Sequence, residues 1–370
     1  MSSNWGRSLR LSIFGESHGR SVGVVIDGLP AGLAIDENAL ALFMARRAPG
    51  QGRHTTSRRE ADAPVIQSGF HLGRTTGTPL CALIENADTR SSDYAEVSRL
   101  ARPSHADYTG FVRYGGHNDI RGSGHFSGRL TAPLVFAGGV AKQALAVCGV
   151  AVGAHIRSIH GVDDAPLDPV CVTAAELDAV AAKPFPVLDD TRGEAMLAEI
   201  EAARSAGDSV GGVVECCAVG MPAGVGSPMF DGVENAVASL LFGIPGVRGL
   251  EFGDGFASAA LRGSENNDPM RAENGRILCE TNRHGGVLGG ISSGMPLLMR
   301  AAFKPTPTIA KEQRTVDYMT DENASITGKG RHDPCIVPRA VPCVESAVAL
   351  ALLELLLEGG NPIGFTDLAR

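Results

Sequence analysis

Basic residues do not dominate this 370-residue chain: 33 Lys and Arg stand against 41 Asp and Glu, a formal charge of −8. That balance disfavours a general binder of nucleic acid or of an anionic membrane surface. Aromatic residues make up 5%, with a single tryptophan, too few for the stacking platforms that grip single-stranded nucleic acid. None of the eight cysteines falls in a C-x-x-C pair, which disfavours a zinc knuckle, and a chain of this size has no need of a disulfide framework. We therefore expect no metal site, and reduced thiols in a cytoplasmic protein. The first six residues lack the apolar core of a signal peptide. The longest apolar stretch, Ser346–Leu357, is shorter than the ~18–20 residues of a membrane span; it predicts a buried helix of about three turns. Lysine is also scarce, 5 against 28 arginines. A codon bias would explain that, and so would a need for guanidinium forks.

What is present begins with glycine. Its 47 residues are about 13% of the chain against a usual share of about 7%, so many tight turns are expected. Short β-like runs at Leu9–Phe14 and Val22–Ile26 precede a helix at Glu37–Arg47, which Asp36 is placed to cap. Further helices are predicted near 133–147, 174–182, 194–205 and 233–241, with a C-terminal one at 343–358. Two polar stretches, Ala48–Asp62 and Ser104–Arg129, read as loops, and loops of that length are usually functional. An internal repeat organises the rest. Gly28-Leu29-Pro30-Ala31-Gly32-Leu33 returns as Gly220-Met221-Pro222-Ala223-Gly224-Val225. Each copy follows a β-like run and precedes Glu-Asn-Ala at a helix start. Leu72-Gly73 with Thr75-Thr76-Gly77-Thr78-Pro79-Leu80 is echoed by Leu288-Gly289 with Ser292-Ser293-Gly294-Met295-Pro296-Leu297. We expect a single large α+β domain over residues 1–370, with sheets enclosing a layer of helices and two pseudo-twofold halves.

Candidate chemistry lies in a few segments. Gly15-Glu16-Ser17-His18-Gly19 ends the first strand and lets the backbone expose His18. A nucleophile elbow would need a helix next, and a β-like run follows instead. Arg102-Pro103-Ser104-His105-Ala106-Asp107 sets His105 between a cation and an acid, a setting for a tuned proton donor or for a surface histidine. Arg46, Arg47, Arg53, Arg58 and Arg59 suit a ligand with several anionic groups. RNA is the competing ligand. Gly122–Arg129 runs into a helix, the pattern of an anion cradle. Lys304-Pro305-Thr306-Pro307-Thr308 offers a cation and hydroxyls for a phosphate or a flavin ring. Gly330-Arg331-His332-Asp333-Pro334 precedes the last helix; Asp333 could serve as its cap, with Pro334 at the first position.

Together these segments resemble the chorismate synthase family, over residues 7 to about 355. The resemblance implies conversion of 5-enolpyruvylshikimate 3-phosphate to chorismate and phosphate, with reduced FMN as cofactor and no net redox change. It implies a β-α-β sandwich, a homotetramer, and no nucleic-acid or membrane partner. It implies that His18 and His105 are catalytic histidines, with Asp333 near flavin N5. Arg47 and Arg53 would serve the anion or NADP site. His125, Phe126, Ser127, Gly289, Lys304, Pro305, Thr306, Pro307, Thr308 and Arg331 would contact FMN. FMN would be reduced either by an NADPH-dependent activity of the chain or by a separate flavin reductase. The chain departs from the family pattern at Ala48, at His125-Phe126 and at Pro245-Gly246. The chemistry suits the residues: cations for a leaving phosphate, histidine as proton donor, and a flavin for an unactivated ring C–H. A flavin oxidoreductase on the same scaffold and an RNA-binding module are the alternatives. Phosphate release without substrate oxidation separates the first, and salt-sensitive RNA binding the second.

Overall fold

The computed structural model describes residues 3–50, 60–87, 98–273, 275–328 and 333–359. In chain order the long elements of the first half are β1 (Asn4–Trp5), β2 (Arg10–Gly15), β3 (Ser21–Asp27), α1 (Glu37–Arg47), β4 (Pro64–Ser68), β5 (Leu80–Glu85), α2 (Asp107–Tyr114) and α3 (Thr131–Val147). The second half runs β6 (Ala151–Ile159), β7 (Val162–Asp163), α4 (Ala174–Ala181), α5 (Asp190–Ser205), β8 (Gly212–Val219), α6 (Val233–Leu241), β9 (Val247–Phe252), β10 (Leu297–Phe303) and α7 (Val337–Glu358).

Each half builds one antiparallel five-stranded sheet, β1-β2-β3-β5-β4 and β9-β10-β8-β6-β7. Counting four long strands from the start of each half, the order across both sheets is first, second, fourth, third. In both halves a helix follows the second strand (α1, α6) and another precedes the next half or closes the chain (α3, α7). These four helices pack together, α3 also against the first sheet and α7 against the second. One apolar core runs through the sheets and the helices between them. The chain is thus a mixed helix-and-strand fold with the helices as its middle layer.

The repeated turns share their hydrogen bonds. Thr75 Oγ1 accepts from Leu33 N–H at 3.0 Å and donates to the Pro30 carbonyl at 2.6 Å. Ser292 Oγ accepts from Val225 N–H at 2.9 Å and donates to Pro222 at 2.6 Å. Gly28 and Gly220 both hold positive φ, and a Cβ on either would stand about 2 Å from a carbonyl oxygen, Ser8 or Gly149. Only glycine fits there.

Local signals explain most boundaries. Asp36 accepts from the N–H groups of Asn38 and Ala39, so α1 starts where its cap says. Thr173 and Glu176 form a capping box on α4. Two expectations need correction. The stretch 104–129 is not structureless: it holds α2 and short 3₁₀ turns at Arg121–Phe126 and Gly128–Leu130. Ala106 at the N-cap of α2 makes no side-chain bond, so the start carried no signal. The last helix is 22 residues, not about three turns, because Pro338 sits in its first turn where a missing N–H costs nothing. By length and composition α7 and the stretch 128–147 could each cross a membrane, yet both are interior helices here. Asp333 lies outside the helix, whose N-cap is Ile336.

Candidate active site

A cavity of about 660 Å³ opens where α1 and α6 end and α3 and α7 begin. Its walls are therefore connections: Arg47 and Pro49 after α1, residues 102–106 and 122–131 ahead of α3, 242–248 after α6, and 304–308 and 333–343 leading into α7. The N-termini of α3 and α7 and the C-termini of α1 and α6 all meet here, so their partial charges of roughly half a unit each offset, and side chains set the sign of the cavity. Among the described lining residues, Arg47, Arg102, Arg129, Arg248, Lys304 and Arg339 are basic, against the acids Glu60 and Asp333. Such a cavity suits a ligand of several anionic groups.

His105 lines the cavity with Nδ1 2.7 Å from Asp107 Oδ1. Burial is the largest influence on its pKa and, with Arg102 and Lys304, holds it below the ordinary value despite the Asp107 hydrogen bond. The ring is neutral near pH 7. His18 does not line the cavity: it packs behind Gly122, where a Cβ would come within 2.3 Å of its Cδ2. The Gly15–Gly19 turn leads from β2 into β3 and not into a helix, so no nucleophile elbow forms.

Arg47 is buried, with Nε 3.1 Å from Asp62 Oδ2. Burial pushes its guanidinium down to about 10, so it stays charged. Arg129 bridges to Glu60 at 2.8 Å and to Asp62. These two arginines and the two carboxylates form a buried, charge-balanced ion-pair cluster at the floor of the cavity. Arg53 and Arg331 lie outside the described residues.

His125 is fixed by Gly15 O and Ser3 Oγ, both at 2.9 Å, and lines the cavity with Phe126 and Ser127. Gly122, Ser123 and Gly124 all hold positive φ; for Ser123 that is backbone strain held by its surroundings. Lys304, Pro305, Thr306, Pro307 and Thr308 line the opposite side. The Lys304 ammonium donates to the Ser104 carbonyl, tying the two walls together. Among the described residues Thr306 Oγ1 is buried without a hydrogen-bond partner, the kind of hydroxyl a bound ligand would engage. Asp333 accepts from Arg339 Nη1 at 2.5 Å, and Arg339 Nε donates to the Arg47 carbonyl at 2.9 Å.

Gly289 is not brought to the cavity. It sits in the hairpin Val287–Ser292, whose Gly290 carbonyl accepts from Val233 N–H at the start of α6, while the cavity is at that helix's other end. Sequence reasoning missed Arg339 and Arg248. Arg339 stood before the expected start of the last helix, and a proline on either side hid its helical position.

The profile of the chorismate synthase family matches residues 9–357. A chorismate synthase of Methanocella arvoryzae is 47% identical, over 99% of this chain and 98% of its own length. One of Thermococcus kodakarensis is 48% identical over 95% of this chain and 97% of its own. A crystal structure of chorismate synthase superposes with a TM-score of 0.77 at 25% identity, covering 99% of this chain and 96% of that one. A neutral, partly buried histidine facing a cavity rich in basic side chains, on a fold and a sequence shared over nearly their full length with these enzymes, leaves one conclusion: the chain belongs to the chorismate synthase family.

Proposed function

We propose a division of labour in this cavity for the family's reaction, the anti elimination of phosphate from 5-enolpyruvylshikimate 3-phosphate to give chorismate. The observation that carries it is the gathering of six basic side chains and His105 around one space. Arg47, braced by Asp62, and Arg129 would hold the anionic groups of the substrate and stabilise charge on the departing phosphate. Arg53 joins this anion site by resemblance. His105, neutral when the cavity is empty, gains basicity as anions enter and then carries a proton at Nε2. His18, behind Gly122, is assigned as the second proton carrier.

The residues fit a reduced flavin: a Thr306 hydroxyl unpartnered among the described residues, Lys304, and the Gly122–Ser127 turn offer donors beside an open wall. FMN would rest against residues 304–308 and 125–127, with Arg331 added by resemblance. Asp333, held by Arg339, would keep a carboxylate at its edge. The chemistry reduced FMN supplies when bound is electron density for breaking an unactivated ring C–H, returned within each turnover.

The coarser readings extend in the same direction. Residues 1–370 would form one domain whose halves arose by duplication, supported by the equal strand order and the matched Thr75 and Ser292 bonds. The enzyme would work in the cytoplasm as a homotetramer. Its FMN would be reduced from NADPH by the protein itself or by a separate flavin reductase; NADPH oxidation by purified protein with FMN separates these.

The reaction is tested by anaerobic turnover with dithionite-reduced FMN, oxidised FMN or none, following phosphate and chorismate together. Equal amounts of both products, with reduced FMN and without stoichiometric loss of reductant, are expected. Many turnovers on oxidised FMN, or one reductant consumed per product, would refute it.

A further inference from the structure

We propose that Asp107 is a positioning residue that dictates which ring nitrogen of His105 carries the hydrogen, a role resting on His105 as the proton carrier of the cavity. Asp107 opens α2 and is buried, with both carboxylate oxygens committed. Oδ2 accepts from the Arg102 backbone N–H at 3.0 Å and from Arg102 Nε at 2.8 Å. Oδ1 accepts from Arg102 Nη2 at 2.7 Å and stands 2.7 Å from His105 Nδ1. Burial works against ionisation of Asp107, but the hydrogen bonds from Arg102 and His105 outweigh it and hold the carboxyl well below its usual range. An ionised carboxylate can only accept. Arg102 Nη2 also lies 3.1 Å from Nδ1 and 3.3 Å from Nε2, but its two hydrogens go to the closer Asp107 Oδ1 and Ser123 Oγ. His105 Nδ1 therefore bears the hydrogen toward Asp107, and Nε2 keeps its lone pair for the reaction.

Arg102 cannot drift away from this arrangement. Its Nη1 is 3.3 Å from Thr308 Oγ1 and its Nη2 donates to Ser123 Oγ at 2.9 Å. The left-handed backbone of Ser123 is one of the supports of that grip. The charged groups facing the imidazole are Asp107 and Arg102 from its own loop and Lys304 from the opposite wall. Two cations against one anion disfavour a second proton in the empty cavity. Asp107 thus sets the tautomer and not the charge.

Asp107→Asn keeps the shape and reverses the polarity. The Oδ2 position receives two N–H groups of Arg102 and the Oδ1 position only one, from Nη2, which would lose that acceptor but keep Ser123 Oγ. The amide oxygen therefore belongs at Oδ2 and its NH₂ turns to His105 Nδ1. That nitrogen can then only accept, and the hydrogen moves to Nε2. The test is magic-angle-spinning NMR of the full-length, ligand-free enzyme labelled with 15N at histidine, near pH 7, beside steady-state kinetics. Wild type should show Nδ1–H at His105 and Asp107→Asn should show Nε2–H, with kcat lower by about 10²–10⁴-fold and KM within about twofold. Asp107→Glu, which keeps two acceptor oxygens, should retain Nδ1–H. Added to His105→Ala, Asp107→Asn should lower kcat no further, because a positioning residue has nothing left to position. An unchanged tautomer in Asp107→Asn, loss of Nδ1–H in Asp107→Glu, a flipped tautomer with undiminished kcat, or additive losses in the double variant would each overturn the proposal. Full activity in His105→Ala would instead overturn the reading of His105, whatever the tautomer.

Discussion

The same four-residue row crosses both sheets, and its chemistry is opposite in the two. In the second sheet it reads His155–Glu215–Arg300–Glu251, paired strand to strand. His155 lies between carboxylates, 3.0 Å from Asp164 and 3.0 Å from Glu215, and Arg300 is 2.7 Å from Glu251. In the first sheet the equivalent row reads Phe14–Gly23–Leu83–Val65. The ionic row is roofed: α4 and a small cluster of Leu167, Val172, Leu177, Cys217 and Leu298 cover that outer face. Among the described residues the apolar row has no such roof, and Phe14 and Val65 are exposed. The inner faces, which meet the shared helix layer, are apolar in both. Each face differs according to what lies against it. The connections at the cavity differ further, with the first half supplying His105 and the second supplying Lys304.

That last contrast gives the largest expected effect. His105→Ala should lower kcat by about 10²–10⁴-fold, whereas Lys304→Ala should weaken ligand binding by roughly tenfold and leave kcat nearer wild type. Stopped-flow binding with steady-state kinetics separates them, and equal effects on the same constant would erase the distinction between the connections. Next comes the layer both halves share. A Cβ on Gly138 of α3 would stand 2.1 Å from Ser346 Cβ of α7, so Gly138→Ala should destabilise by about 1–3 kcal/mol. Calorimetry should then show the whole molecule melting earlier; a lowered transition in one half alone would mean the halves do not share a core. Thr75→Val and Ser292→Ala remove matched hydrogen bonds and should each cost about 1–3 kcal/mol. A silent member of the pair would break the equivalence of the turns.

The smallest effect is a pH slope belonging to the second sheet. Burial pulls the His155 pKa down, but hydrogen bonds to Asp164 and Glu215 outweigh it and the value stands above the ordinary one. A pKa raised by folding stabilises fully below the unfolded value of about 6.5, and that stability is lost as pH rises through the folded pKa. Thermal stability should decline above neutrality, and His155→Gln should flatten the decline. A slope that survives that substitution has another origin.

Several features were legible in the sequence because local chemistry decides them. Asp36 announced the first residue of α1, and the repeated Gly-x-Pro-Ala-Gly turns announced the matched positions. The start of α7 was misread because Pro338 and Pro342 look like stops, although a proline in a first turn is harmless. The short helix α2 lacked a side-chain cap and was hidden. In the site, the polar Gly- and Arg-rich loops stood out, and most of their named residues do meet at one cavity. What could not be read was partnership across the fold. Nothing in the chain order says that Asp62 braces Arg47 or that Arg102 reaches both Ser123 and Thr308. The displacement of Gly289 likewise follows from which end of α6 its hairpin touches, a tertiary fact.

The position of α7 has a consequence for synthesis. This helix fills the middle of the molecule, and nearly all of its residues are buried. It is also the last long element to leave the ribosome. Until α7 has emerged, the side of α3 that faces it and the inner face of the second sheet lack their partner, although α1 and the first sheet can already close on α3. At about 5–20 residues per second, that interval lasts tens of seconds. Closure of the second sheet's inner face therefore waits for α7, whose burial completes the middle layer.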